Sequence, residues 1–325
     1  MGWLPALQPS SRVQHSLPEG CHKEAEGDGV AKTSASVGGE RGGGDSAGRS
    51  TLPVVLMSKV CNASDFTTGW YQRAQVALGD TTLHYHRKLW EFCFIHGVLD
   101  ERGLLQDGRR GLGFGVGKEP LAEAFAARGC SIVATDLDES SSVDGGWSER
   151  GQHASRLDDL RERGLCSADD FERLVQFEFV DMNAIPTRFR SSFDFTWSSC
   201  AFEHLGSIEA GIEFVVRQAA CLRPGGVGVH TTEYNLSSND ATLASGITVI
   251  FRPRDVDEMV RRLCRKGFLV SFDHTVERDG HENTFIDAPP YTHNPHLRLQ
   301  LEAYESTSCG IVVERPLHRR WFDRR

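Results

Sequence analysis

The sequence predicts an α/β fold built of βαβ units, on three observations. A glycine turn, Gly111-Leu-Gly-Phe-Gly-Val-Gly117, joins a short strand to a helix running from about Glu119 to Arg128. A second strand, Ser131-Ile-Val-Ala-Thr-Asp136, then ends on a carboxylate 19 residues beyond Gly117. Further strand-like runs at 176–181, 192–200 and 227–235 alternate with helix-like segments, the last run introduced by Arg223-Pro-Gly-Gly226. Strands separated by helices of crossover length are the signature of repeated βαβ units.

Each element carries a physical expectation. Glycines at 113, 115 and 117 leave no side chain over the turn, so a ligand can lie against the backbone. The helix that follows aims its unpaired N–H groups at the same space. Asp136 falls where a βαβ unit delivers a carboxylate to the two hydroxyls of a nucleoside ribose. A nicotinamide fingerprint would set its third glycine at position 118, which is Lys118, and the spacing is G-x-G-x-G instead.

With that turn and an acid closing the second strand, the chain resembles the class I S-adenosylmethionine (SAM)-dependent methyltransferases. It departs from them at Gly111, where the family carries an acid that helps to hold the methionine amino group. Another group must then bind that ammonium, or the site is impaired. Downstream, Gln176-Phe-Glu-Phe-Val-Asp181 reads as a third strand. Asp181-Met182 resembles the adenine-binding position, against the alternative of a plain Asx turn at a strand end. Ser192-Phe-Asp-Phe-Thr-Trp-Ser-Ser-Cys200 reads as a fourth strand. Ala201-Phe-Glu-His-Leu205 leads into an amphipathic helix to about Leu222, and Val227 to Asn235 reads as a fifth strand. The F-D-x-x-x-S strand, the E-H pair and the L-x-P-G-G break resemble the family's later motifs in the right order. The resemblance covers roughly Arg87 to Val313. It implies a Rossmann-like doubly wound sheet of seven mostly parallel strands with an antiparallel last strand. It also implies SAM as cofactor, with contacts at Gly113, Phe114, Gly115, Gly117, Asp136, Leu137, Asp181, Met182 and Ser198.

Three domains are expected. Residues 1–52 read as a disordered extension, because Ser34 to Ser50 holds too little large apolar surface to offset its ordering entropy. Residues 53–105 read as a helical cap, and residues 106–325 as the methyltransferase domain. In the cap, Trp70, Tyr71, Ala74, Val76 and Leu78 form one apolar cluster, while Leu89, Phe92, Cys93 and Val98 form another. His84 and His86 either line a pocket or sit at a helix start as surface or capping residues. The long join from Asp138 to Val175, with Trp147, Gln152 and His153, is expected to build part of the acceptor site.

Arg254 to Lys266 reads as a helix, with Asp255 near its start, basic residues at its end and Gly267 stopping it. Residues 268–276 and 307–314 read as a sixth and a seventh strand, forming a hairpin that holds an insertion from about Glu277 to Ser306. That insertion places His293 and His296 three residues apart, near Asp287. Zinc or iron is conceivable there. Because the surrounding prolines preclude a helix that would fix both rings, the segment reads instead as a rigid loop beside the acceptor pocket, with no metal expected.

Composition narrows the partners. The 325 residues carry a net charge of −9, and no basic stripe lies outside His318 to Arg325, so nucleic acid is not expected. Nine scattered cysteines without a C-x-x-C suit reduced thiols in the cytoplasm. No apolar run is long enough to span a membrane.

A sulfonium methyl is already activated, so the protein must chiefly hold an acceptor in line with it. A hydroxyl acceptor also needs a base, worth roughly 10²–10⁴-fold. Ligands of open α/β sheets sit at the carboxyl ends of strands. Glu203 and His204 fit the end of the fourth strand; His230, Glu233 and Tyr234 fit the fifth. His204 is the expected base with Glu203 orienting or binding, and His230 is the third catalytic candidate. Glu203 is read equally as an acid that only charges a helix N-terminus. The expected activity is methyl transfer to a small-molecule or carbohydrate-like acceptor, at oxygen. The competing reading is a non-catalytic Rossmann-like nucleoside-binding module, for which Gly111 speaks.

Overall fold

The computed structural model describes residues 56–138, 157–161 and 163–317. The expected extension at 1–52, the segment with Trp147, Gln152 and His153, and the basic tail lie outside the described residues.

Five parallel strands build the centre. They are β2 (Arg110–Phe114), β3 (Ser131–Asp136), β4 (Val175–Phe179), β5 (Phe193–Ser199) and β6 (Leu222–Asn235), after the short β1 (Ser58–Val60). The sheet order is β4-β3-β2-β5-β6, continued by β10 (Tyr304–Glu314), which runs antiparallel to β6. All seven residues of β5 are buried, as expected of a parallel strand covered on both faces. The order reverses between β2 and β5. At such a switch point a crevice opens beyond the carboxyl ends of the strands, and the glycine turn lies there.

The far edge departs from expectation. The predicted sixth strand shrinks to β7 (Phe272–Asp273), and β1 lies between it and β10, parallel to β7 and antiparallel to β10. Three residues, Ser58-Lys-Val60, are too few to show periodicity. They hold the gap partly because Ser58 Oγ accepts from Val312 N at 2.9 Å. The expected hairpin survives only as a Leu269–Glu314 bridge. The insertion is also more ordered than a loop. It contains α7 (His281–Thr284), β8 (Ile286–Asp287) and β9 (Arg298–Leu301), and β9 extends the sheet along the start of β10. Buried Arg298 ties it down by donating to Cys61 O at 2.8 Å and Asn62 Oδ1 at 3.1 Å.

Helices cover both faces. α1 (Gly69–Ala77), α2 (Arg87–Glu101), α3 (Leu121–Ala126) and α4 (Ala168–Leu174) pack on one side. α5 (Ile208–Gln218) and α6 (Pro253–Arg265) pack on the other. In α1 and just beyond it, Tyr71, Ala74 and Leu78 face inward at helical spacing, whereas Val76 falls between those positions and is 68% exposed, correcting its place in the expected cluster. Twelve of the fifteen residues of α2 are buried, so any charge on it must find a partner inside the protein. The predicted helix after the glycine turn is shorter than expected, beginning only at Leu121 after Pro120. Among the described residues no helix is long and apolar enough to cross a membrane, and the eight described cysteines are free thiols.

Candidate active site

At the turn after β2, Gly115 and Gly117 adopt φ of 58° and 50°, the left-handed region that favours glycine. A Cβ on Gly115 would lie 2.8 Å from the Ala201 methyl and 3.2 Å from Met182 Sδ. The two inner glycines answer to different neighbours. A Cβ at Gly113 would strike the Trp197 indole, and one at Gly111 would strike the Phe195 ring. The missing acid therefore has a packing cause: an aromatic ring fills the space that an acidic side chain would need.

The other cofactor candidates surround this turn unevenly. Asp136 is buried at the end of β3, where Oδ2 accepts from Gly117 N at 3.2 Å and Oδ1 from Leu137 N at 2.8 Å. Leu137 is half-buried beside it. Met182 is buried against the turn, while exposed Asp181 accepts from Asn183 N at 2.7 Å, the Asx-turn geometry weighed from the sequence. Phe114 and Ser198 point to the opposite face of the sheet. There Phe114 meets Phe214 edge-on at 5.3 Å, and Ser198 Oγ pairs with His230 Nδ1 at 2.8 Å.

Glu119 lies just past the turn and was not foreseen. It is buried and accepts from Trp197 Nε1. Burial holds its carboxyl well above the usual range; the Trp197 bond and Lys88 oppose this, while Asp136 and Glu91 add to it. This carboxyl beside the glycine turn is thus short of positive charge.

A charged centre lies under α2, at the carboxyl ends of β5 and β6. Arg87 donates to Glu91 Oε1 and to Ser308 Oγ, each at 3.0 Å, and also to Glu233. Glu91 accepts in addition from Ser199 Oγ at 3.2 Å, Thr231 Oγ1 at 3.3 Å, Cys200 Sγ at 3.1 Å and Lys88 Nζ at 3.4 Å. Burial pushes Glu91 up, but Lys88, Arg87 and the Ser308 and Cys200 bonds outweigh it, leaving the carboxyl below its ordinary value. Glu233 goes the other way: burial outweighs Arg87, and Glu203 adds to the rise. Cys200 closes the strand at φ 46°, a strained conformation for a non-glycine residue, of the kind that gathers at functional sites. Ligand atoms of Cys200, Glu203 and Glu233 lie within 4.8 Å of one another. Arg87 already occupies Glu233 there, and burial keeps the Cys200 thiol protonated.

The three catalytic candidates part company. Glu203 joins the charged centre, its Oε2 accepting from Thr232 Oγ1 at 3.1 Å. His204 turns to the neighbouring loop, where Nδ1 meets Ile247 O at 2.8 Å. A carbonyl can only accept, so Nδ1 carries a proton, and in the neutral ring Nε2 holds the lone pair. His230 is fully buried against Phe214 at 5.7 Å, and burial lowers its pKa to about 3. It is a neutral core residue on the α5 side, sealed from any acceptor.

His84 is half-buried, and His86 caps α2 through Nδ1, which accepts from Lys88 N at 3.2 Å. The insertion packs against this cap: Arg87 N donates to His296 O at 3.1 Å and His296 N to Tyr85 O at 2.7 Å. Burial lowers His86 to about 2, and His296 to about 4 in spite of its bond to Asp287.

Sequence reading missed Arg87, Lys88 and Glu91. The signal was present: Glu91 stands three and four residues after two cations inside an otherwise apolar helix, which forces the charges inward together. Ser306 and Ser308 had no such signal, because only the pairing of β10 with β6 brings them close. A groove of about 1290 Å³ lined by Arg190, Arg217, Arg265, Lys266 and Arg315 shares no residue with this centre.

No family model matches the chain, and no curated protein matches it. Solved structures similar to it include the 1,6-didemethyltoxoflavin-N1-methyltransferase of Burkholderia thailandensis with S-adenosylhomocysteine bound. The identity is 15%, over 78% of this chain and 86% of that one, with a TM-score of 0.41. An S-adenosylmethionine-dependent methyltransferase from Mesorhizobium loti matches at 15% identity over 68% and 97% of the two chains, TM-score 0.40. The [4+2]-cyclase SpnF matches at 16% identity over 80% and 100%, TM-score 0.45.

Proposed function

We propose that this chain is a SAM-dependent methyltransferase that modifies a small-molecule or carbohydrate-like acceptor at oxygen, with α1 and α2 capping the catalytic domain and β1 part of its sheet. The observation that carries the reading is a pair of left-handed glycines at the sheet's switch point, facing a strand-end carboxylate and a charge-deficient buried acid. Bound SAM supplies a sulfonium methyl that needs no further activation. The protein's part is to bind, orient and exclude water.

Glu119 fits the role left open at Gly111. The Phe195 ring excludes an acid from that strand position, while Glu119 brings a buried carboxylate to the same turn from the helix side. Burial keeps Glu119 protonated in the free protein, and a methionine ammonium beside it would favour loss of that proton and an ion pair with the carboxylate so formed. Met182, buried against the turn, would pack on the adenine, and Asp136 would serve the ribose if its backbone partners share their hydrogen bonds.

His204 is the proposed base, because its Nδ1–H is held by Ile247 O and Nε2 can take a proton. Glu203, held by Thr232, orients the acceptor. The non-catalytic alternative draws on the aromatic filling at Gly111 and Gly113 and on the backbone hold on Asp136.

The test is thermal unfolding of the full chain with S-adenosylhomocysteine, using NADH as control. At 100 times Kd a ligand adds about 2.7 kcal/mol, which raises Tm by roughly 5–10 °C at this size. Such a rise, followed by methyl transfer that Asp136→Ala abolishes, supports the enzyme. A rise without transfer to any hydroxyl acceptor supports the binding module, and no rise contradicts both.

A further inference from the structure

Outside that centre, three imidazoles meet. His86 comes from the N-cap of α2, and His293 and His296 come from the insertion between β8 and β9. One nitrogen from each lies within 4.8 Å of the others. Ring centroids stand 4.7 Å apart for His86 and His296, 4.9 Å for His293 and His296, and 6.0 Å for His86 and His293. Rings that converge on one ion through bonds of about 2.0–2.1 Å have centroids roughly 5 Å apart; His86 stacks on His293 and His296 at interplanar angles of 21° and 30°, so its ring must turn to aim a nitrogen at the same ion.

The surroundings are built as metal sites are built. Asp287 is 1% exposed, and its Oδ2 accepts from His296 Nδ1 at 2.6 Å. A carboxylate behind an imidazole fixes the ring and leaves Nε2 as the donor atom. The same carboxylate accepts from His293 N and Thr292 N, each at 2.8 Å, and so shapes the loop that carries both histidines. His293 is held at φ 65°, a conformation rare for its residue type. Neither of its ring nitrogens has a hydrogen-bond partner among the described residues.

We propose that His86, His293 and His296 bind a divalent transition metal, zinc by preference, and that the ion clips the insertion to the start of α2. Three neutral imidazoles with a carboxylate behind one of them suit zinc, and leave a fourth position for water or another ligand. His86 must give way slightly. Its Nδ1 now accepts from Lys88 N, so coordination through Nε2 exchanges that capping bond for a bond to the ion. This site is independent of the SAM reading.

The test uses the full chain, purified without chelator and dialysed against zinc. Elemental analysis is expected to find one zinc per chain. Cobalt(II) in its place should give visible bands of a four-coordinate nitrogen site without the near-ultraviolet band of a cobalt–thiolate bond. His293→Ala, at a half-exposed position, should abolish stoichiometric binding while the metal-free fold keeps its Tm. Asp287→Asn should weaken zinc by about 10–100-fold. Zinc should raise the wild-type Tm and leave that of His293→Ala unmoved. The proposal is overturned if zinc dialyses away from the wild type or if His293→Ala binds as tightly. A cobalt–thiolate band would overturn it too, since it would place the ion on a cysteine sulfur instead.

Discussion

The two faces of the sheet, at the carboxyl ends of the same strands, hold opposite chemistry. Toward α2, Ser199, Thr231 and Glu233 point into a network of charges with Arg87 and Glu91. Toward α5, Ser198 and His230 form a neutral pair walled by Phe214. Residues one step apart on a strand face opposite ways, so His230 and Thr231 are sequence neighbours with unrelated environments. Parity along the strand, more than residue type, decides which polar side chain can serve a ligand.

Breaking the charged face should have the largest effect. Arg87→Met leaves Glu233 buried without its main cation and Glu91 with Lys88 alone, and removing one partner of such a pair costs about 3–5 kcal/mol. Urea unfolding should show the midpoint fall with its slope unchanged. A loss under about 1 kcal/mol would mean the network is not a unit. Placing an acid at position 111 should also fail: Gly111→Asp drives a side chain into Phe195, and overpacking alone costs about 1–3 kcal/mol. Tighter S-adenosylhomocysteine binding by that variant would contradict the packing explanation.

Acid probes the neutral histidines. His230 is lowered to about 3 and His96 to about 4, both by burial. Below the unfolded value near 6.5 the unfolded chain binds more protons than the native one. Stability should therefore fall as pH drops from 6.5 toward 4. At pH 5.5 each histidine accounts for about 1.4 kcal/mol. Replacing His230 by Phe should remove its share of that slope, and an unchanged slope would show that the ring is already accessible to protons. Least affected should be the exposed Val76: Val76→Lys is expected to shift stability by no more than about 0.5 kcal/mol.

The parallel centre of the sheet was legible because glycine turns, strand-end acids and the proline–glycine break are local signals. The three-residue β1 was not, nor was its place between β10 and β7, because a strand that short is specified only by its partners. At the candidate site, the turn and Asp136 were readable, yet the reason for Gly111 lies on β5 in Phe195. Glu119 looked like an ordinary first-turn acid until Trp197 and its burial set it apart. His86 and His296 are 210 residues apart in the chain and meet only through the backbone bridge between their segments.

The most direct test is a calorimetric titration of the full chain and of Glu119→Gln with S-adenosylhomocysteine. The account predicts one site in the wild type. Glu119→Gln should weaken it at least tenfold, about 1.4 kcal/mol, while thermal stability without ligand holds or rises, because an unbalanced buried acid is gone. No binding by the folded wild type, or equal affinity in the variant, would contradict it.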